Sequence, residues 1–294
     1  MNIGYVKETW LYPVKSMAGQ RVDALSLDLL GVVGDRAWSM LDGESGDVAW
    51  GKRFPRVMDL AASYVGERPT QRVFGDAVPP VQIRIPGGAE VSSDAEPDGA
   101  ISDYVGSPLR LSPLQPAENR EHYRWKQPLD GEEIMKILGV APGEDPPDLS
   151  VYDEDLIALL TEYYSPPGTY NDMAPLHVLT TASLQHMREL SGEEFELRRF
   201  RPNFLIETAE GQEGLVEFSW VGKRLKVGGA TLKVEAKTIR CSMPARGQAS
   251  SQLKPNPAVA RTLYEQTDRF FGAYLSVKEA GTIREGDSVE LLES

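Results

Sequence analysis

Around Gly228 and Gly229 the chain reads G-K-R-L-K-V-G-G-A-T-L-K-V-E-A, with apolar and charged residues taking turns on both sides of the glycine pair. Alternation of period two gives each strand one apolar face, and Gly-Gly supplies the positive φ that a two-residue hairpin turn requires. The stretch is read as an antiparallel hairpin, its second strand running from Thr231 towards Ile239. The same grammar governs the first 65 residues. Short runs such as I-G-Y-V-K-E-T-W-L, R-V-D-A-L-S-L, R-A-W-S-M-L and V-M-D-L-A-A-S-Y-V are separated by turns at Gly19, Gly31, Gly34, Gly43 and Gly46. This density of strands and turns predicts a mostly β protein with a few helices, an α+β fold whose N-terminal part is a β-barrel or sandwich.

Helices are expected at four places. One is Asp98 to Val105; another is Asp153 to Tyr164, where Leu156, Leu159, Leu160 and Tyr163 share a side behind an acidic first turn. A third runs from Ala182 to Leu190, capped by Thr180 or Thr181 and closed by Ser191-Gly192, after a buried strand over Leu176 to Leu179. The fourth follows the cap Asn256-Pro257. Otherwise Gln71 to about Pro147 reads as a strand pair among Pro-, Gly- and acid-rich loops. Its last run, A-P-G-E-D-P-P-D, is the expected boundary between domains 1–147 and 148–294. R-E-G-D-S-V-E-L near the C-terminus reads as the closing strand of a small barrel.

The chemistry is placed in K-T-I-R-C-S-M-P-A-R-G-Q, Lys237 to Gln248, because Cys241 is the one cysteine among 294 residues. A single thiol forms no internal disulfide, and iron–sulfur clusters or structural zinc usually take several. It lies where a strand gives way to a loop, a common place for reactive groups, although a free cysteine is also often a small apolar filler. Two basic corners, Y-P-V-K-S-M-A-G and G-V-V-G-D-R-A-W, carry Lys15, Ser16 and Arg36. Taken singly, Lys15 is a solvated lysine, Ser16 a turn residue, and Arg36 the partner of Asp35. Together, on neighbouring turns, they read alternatively as a phosphate cradle. In L-R-R-F-R-P-N-F, Arg201 and Asn203 read equally as exposed strand-edge residues or as groups recognising an anion and an amide edge. His122 reads as a surface histidine, His177 as a hydrogen-bonded core histidine and His186 as an ordinary helix residue, so no histidine metal site is expected.

The net charge of −13 argues against a nucleic-acid surface, and local basic clusters in so acidic a chain point to a small anionic ligand. No run approaches the roughly 20 apolar residues of a membrane span, and M-N-I-G-Y-V-K-E-T-W lacks a signal-peptide pattern. A cytoplasmic protein without membrane or nucleic-acid partners is expected.

Y-P-V-K-S, G-x-x-G-D-R-x-W, A-P-L-H-V-L-T-T-A-S-L, R-F-R-P-N, T-I-R-C and I-R-E-G-D-S-V, in this order, closely resemble the MOSC family with its N-terminal β-barrel domain. That family, of the molybdenum-cofactor-sulfurase C-terminal type, includes the mitochondrial amidoxime-reducing components. The resemblance implies two β-barrel-like domains and a molybdenum cofactor, molybdenum on the dithiolene of a phosphorylated pyranopterin. It implies Cys241 as metal ligand and catalytic residue, with Lys15, Ser16 and Arg36 on the phosphate. Arg201 and Asn203 fall on the pterin, and Arg240 contacts the cofactor. The implied reaction is oxygen-atom transfer with reduction of N-hydroxylated or N-oxide small molecules, fed by a separate electron-donor protein of ferredoxin or flavin reductase type. Two other readings stand beside it: a sulfur carrier or transferase holding a persulfide on Cys241, and a cofactor carrier without turnover. A Cys–His hydrolase using His177 lacks an orienting partner in the sequence. After Cys241 the relatives continue with Thr-rich and Asp-Pro residues where this chain has S-M-P-A-R-G-Q. Arg246 in that loop is either a surface arginine or a group favouring an anionic substrate.

Overall fold

The computed structural model describes residues 1–127, 130–141 and 143–292. The alternating runs become strands: β1 (Asn2–Leu11), β2 (Gln20–Val22), β3 (Ala24–Asp28), β4 (Gly31–Val32), β5 (Trp38–Asp42), β6 (Ala61–Tyr64), β7 (Val81–Arg84) and β8 (Glu90–Ser92). Next come α1 (Asp98–Val105), β9 (Leu109–Pro113), α2 (Arg120–Tyr123), α3 (Gly131–Leu138) and α4 (Glu154–Glu162). The C-terminal part holds β10 (Leu176–Thr180), α5 (Thr181–Ser191), β11 (Phe204–Thr208), β12 (Arg224–Val227) and β13 (Ala230–Ile239). It ends with α6 (Pro257–Thr267), β14 (Phe270–Glu279), β15 (Gly281–Arg284) and β16 (Ser288–Leu292).

The expected hairpin is β12–β13, in register from Arg224–Lys233 to Val227–Ala230, with Gly228 at φ 52° in its turn. Its apolar residues Leu225, Val227, Leu232 and Val234 are fully buried. They face the inside of a closed seven-strand barrel, ordered β11-β10-β14-β13-β12-β16-β1 and sealed by antiparallel pairing of β1 with β11. Strands β10 and β11 run parallel, so the chain must cross over between them, and α5 is that crossover. Thr180 caps α5 through Ser183 N–H and Gly192 ends it in the left-handed conformation.

Around the barrel stand the smaller sheets β15-β3-β4, β5-β9 and β6-β7-β8. One apolar core runs through both parts, joining Val81, Ile83 and Leu109 to Val234 and Leu275. β1 is therefore N-terminal in sequence but a stave of the barrel built from the C-terminal strands.

Several expectations are corrected. The segment 71–147 contains α3 as well as α1: Asp130 and Glu133 form a capping box, an N-terminal signal the loop reading passed over. The run from Val57 to Val65 is a 3₁₀ turn at Pro55–Asp59 followed by the short β6. His122 is not a surface residue; its Nε2 lies 2.7 Å from the Tyr170 hydroxyl, and burial pulls its pKa down to about 4. Among the described residues no helix is long and apolar enough to cross a membrane.

Candidate functional site

The barrel mouth at the C-terminal end of β13 meets the basic corners of the N-terminal part. β13 is fixed at its end by Tyr152, whose hydroxyl accepts from Ile239 N–H (2.9 Å) and donates to the Lys237 carbonyl (2.8 Å). Arg240 N–H then donates to the Arg269 carbonyl at 2.7 Å, and Pro244 turns the chain away immediately after Cys241. The thiol is thereby left half-buried at the edge of a cleft of ≈ 930 Å³ counted out to its mouth.

All seven residues expected from the sequence line this one cleft: Lys15, Ser16, Arg36, Arg201, Asn203, Arg240 and Cys241. Their backbones are laced together. Arg36 N–H donates to the Tyr12 carbonyl (2.7 Å), Lys15 N–H to the Trp38 carbonyl (2.8 Å) and Trp38 N–H to the Pro13 carbonyl (3.0 Å). Asn203 joins three strands: its N–H donates to the His177 carbonyl, its carbonyl accepts from Trp10 N–H, and its Oδ1 accepts from His177 N–H at 3.1 Å. Ser16, Arg36 and Arg201 all hold left-handed φ, at 68°, 48° and 56°. Each costs about 1 kcal/mol for a residue with a Cβ, so the surrounding contacts impose them.

The two arginines are held side by side by contacts within the chain. Both guanidiniums lie over the Tyr12 ring, Arg201 at 4.3 Å and Arg36 at 5.3 Å from its centroid. Arg36 also pairs with Asp35, which keeps its pKa raised although burial works the other way. Among the described residues Arg201 has only the Met17 carbonyl as a charge-assisted partner, and burial with the Arg36 charge beside it lowers its pKa to about 10. Lys15 is buried rather than solvated; it donates to the Tyr170 carbonyl at 2.6 Å and pairs with Asp172. Burial outweighs that pairing and lowers the Lys15 pKa. Asp172 is held far below the usual carboxylate range: burial opposes this, but Lys15 and Lys52 prevail.

Among the lining residues not assigned to the site from sequence, four bear most on its chemistry. Lys52 lies 3.8 Å from Asp172, and its pKa is raised despite burial because Cys241 and Asp172 face it. Its loop is positioned by Ser16, whose Oγ accepts from Gly51 N–H at 2.9 Å. Asp172 is the second and Tyr274 the third; His177 is the fourth, buried as expected but also on the cleft wall, its Nε2 3.3 Å from Arg240 Nη1. Burial and then Arg240 hold the His177 pKa well below 6.5, so the ring is neutral. The available signals were local: G-K-R-F after a tryptophan, and Y-N-D-M just before a buried strand. Arg199 is also buried here, but its guanidinium serves the loop after Cys241, donating to the carbonyls of Pro244, Arg246 and Lys254.

The cleft thus gathers six cations, Lys15, Arg36, Lys52, Arg199, Arg201 and Arg240, against Asp172 among its lining residues and Asp35 behind Arg36. Four buried donors on its lining residues, Arg199 Nε, Arg201 Nη2, Asn203 Nδ2 and Arg240 Nε, have no partner among the described residues. Orphaned buried donors are costly, so they mark where a ligand supplies acceptors. Among the described residues no three His, Cys, Asp or Glu side chains stand close enough to hold a metal. A metal held beside Cys241 would therefore draw most of its ligands from outside the chain, and a thiolate would suit a soft centre. These residues fit an anionic, acceptor-rich organic group carrying a thiophilic metal.

Comparison with known proteins agrees with this arrangement. The model of the MOSC N-terminal beta barrel domain matches residues 3–99 and that of the MOSC domain matches residues 166–290. The chain is 24% identical to mitochondrial amidoxime-reducing component 1 of Homo sapiens, over 99% of this chain and 84% of that protein. It is 23% identical to mitochondrial amidoxime reducing component 2 of Bos taurus, over 98% and 83%. The solved structure of the YUAD protein from Bacillus subtilis aligns over 99% of this chain and 96% of that chain, with a TM-score of 0.46 and 12% identity. With both domains present in order and a barrel closed by strands from both ends of the sequence, the chain belongs to the MOSC family and carries the family's N-terminal beta barrel domain.

Proposed function

We propose that this protein is a molybdenum-cofactor oxidoreductase of the amidoxime-reducing type. The observation that carries the reading is the convergence of one thiol, a set of buried cations and four orphaned donors on a single cleft. Lys15, Ser16 and Arg36 would hold the pterin's phosphate, Arg201 and Asn203 the pterin, and Arg240 and Cys241 the metal end. When bound, the cofactor supplies oxygen-atom transfer at molybdenum. The chain's own contribution is binding and electrostatics: its cations balance the ligand's negative charge, which relieves the repulsion that lowers the Arg201 pKa. Neutral His177 and the adjacent Arg240 shape the cleft wall without adding a titrating proton near neutrality.

The net reaction breaks the substrate's N–O bond, consumes two electrons and two protons, and releases water. The electrons come from a separate protein, of ferredoxin or flavin reductase type. Enzyme prepared in a molybdate-fed host, with a chemical reductant in place of that partner, should reduce benzamidoxime, and Cys241→Ala should abolish the activity. A cofactor-loaded protein that reduces no amidoxime, hydroxylamine or N-oxide would mean a carrier. A sulfur atom added to Cys241 with little metal would mean sulfur transfer.

A further inference from the structure

The Cys241 loop has a second cleft on its other side, ≈ 710 Å³ counted out to the mouth. Cys241 and Ala245 form one side, and α6 forms another with Ala260 and Arg261, each one turn from Tyr264 at spacings of four and three residues. Leu138 closes it. Leu138, Arg240 and Cys241 line both clefts, so the second adjoins the first at Cys241 while Lys15, Arg36 and Arg201 line only the first.

The wall is mostly apolar, and small side chains at positions 245 and 260 make the room. Tyr264 presents a ring held in place by the Arg269 guanidinium 4.3 Å from its centroid. Arg269 is occupied by Glu144 and by the Asp145 carbonyl (3.1 Å), and Arg240 by the Phe200 carbonyl (2.8 Å) and His177. Arg261 differs: it is exposed, and it has no hydrogen-bond or ion-pair partner among the described residues.

We propose that this second cleft is the substrate site and that it selects small, flat, largely apolar molecules bearing a carboxylate. Arg261 receives the carboxylate at the mouth, Tyr264 and Leu138 cover the apolar body, and the reducible N–O group lies at Cys241. The inference rests on the reading of Cys241 as the reacting end, with the first cleft given to the cofactor.

Binding of 4-fluorobenzoate to the full-length chain, followed by fluorine NMR, tests the cleft without turnover. Saturable binding is expected, weakened about tenfold by Arg261→Glu, the loss of one charge-assisted contact. Ala260→Trp, which fills the cleft, should weaken it similarly. Arg84→Glu, the same charge change at an exposed position on β7, should leave it intact. Absence of saturable binding, or binding that survives Arg261→Glu, overturns the proposal. In the loaded enzyme, Arg261→Glu should raise KM for 4-carboxybenzamidoxime about tenfold, whereas Arg84→Glu should leave it within about twofold. An unchanged KM for the carboxylate would also overturn it. Failure to reduce benzamidoxime would instead sink the proposed function, and the NMR result would still decide the cleft.

Discussion

At the scale of single residues, the cleft is built to be completed by a ligand. Arg201 is the clearest case, with its buried Nη2 unpartnered and its pKa lowered by burial and by Arg36. Arg201→Met removes the hydrogen bond to the Met17 carbonyl and the stacking on Tyr12, but it also relieves a buried charge and its repulsion with Arg36. The cofactor-free chain should keep its stability to within about 1 kcal/mol, while retention of pterin on gel filtration falls sharply. Glu217 gives a stability prediction away from the site. It is fully buried, the Thr180 and Ser183 hydroxyls face its Oε2, its Oε1 has no partner, and burial raises its pKa to about 7. Between its ordinary value and about 7 the folded chain holds a proton that the unfolded chain has lost, so its contribution to stability falls as pH rises through that window and then levels off. Glu217→Gln should remove this dependence, raising stability at pH ~8 by up to about 3 kcal/mol and leaving pH ~5 nearly unchanged; equal shifts in urea midpoint at both pH values would contradict it. The seven site residues were legible in the sequence through an ordered set of motifs. Their left-handed backbone at Ser16, Arg36 and Arg201 was not, because nothing local distinguishes a serine or arginine at positive φ.

At the scale of elements, local grammar served well where it is strong and failed where pairing is remote. The β12–β13 hairpin, the caps of α5 and α6 and the helix α4 follow from alternation, glycine placement and Asp, Thr or Asn at the N-cap. The capping box of α3 was present in D-G-E-E but lay in a stretch dominated by loop composition. Asp130→Ala should speed hydrogen exchange over 131–138 by severalfold, a cost of about 1 kcal/mol, without moving the global unfolding midpoint, since that short helix buries little. β14 carries a more demanding constraint. Gly272 sits at φ 87°, and a Cβ there would come within 2.3 Å of His177 Nε2 and 2.7 Å of the Val178 carbonyl. Gly272→Ala should therefore destabilise the protein by at least about 2 kcal/mol and disturb the His177–Arg240 contact. A thermal melt together with cofactor retention measures both effects.

At the scale of the whole molecule, the barrel belongs to both ends of the chain. β1 fills the gap between β11 and β16, and β3 pairs with β15, links that no local pattern encodes. A fragment of residues 148–294 therefore leaves two strand edges open, and it should not unfold cooperatively in urea unless residues 1–147 are supplied with it. The same interleaving brings Lys15 and Arg36 within one cleft of Arg201 and Cys241, in a chain whose net charge is −13. The most direct test is the molybdenum and pterin content of the freshly purified full chain, compared with Cys241→Ala. Near-stoichiometric molybdenum with a phosphorylated pterin in the wild type, and loss of the metal in the variant, is the predicted result. Molybdenum-free wild-type protein from a molybdate-replete host, or metal retained undiminished without the thiol, would contradict it.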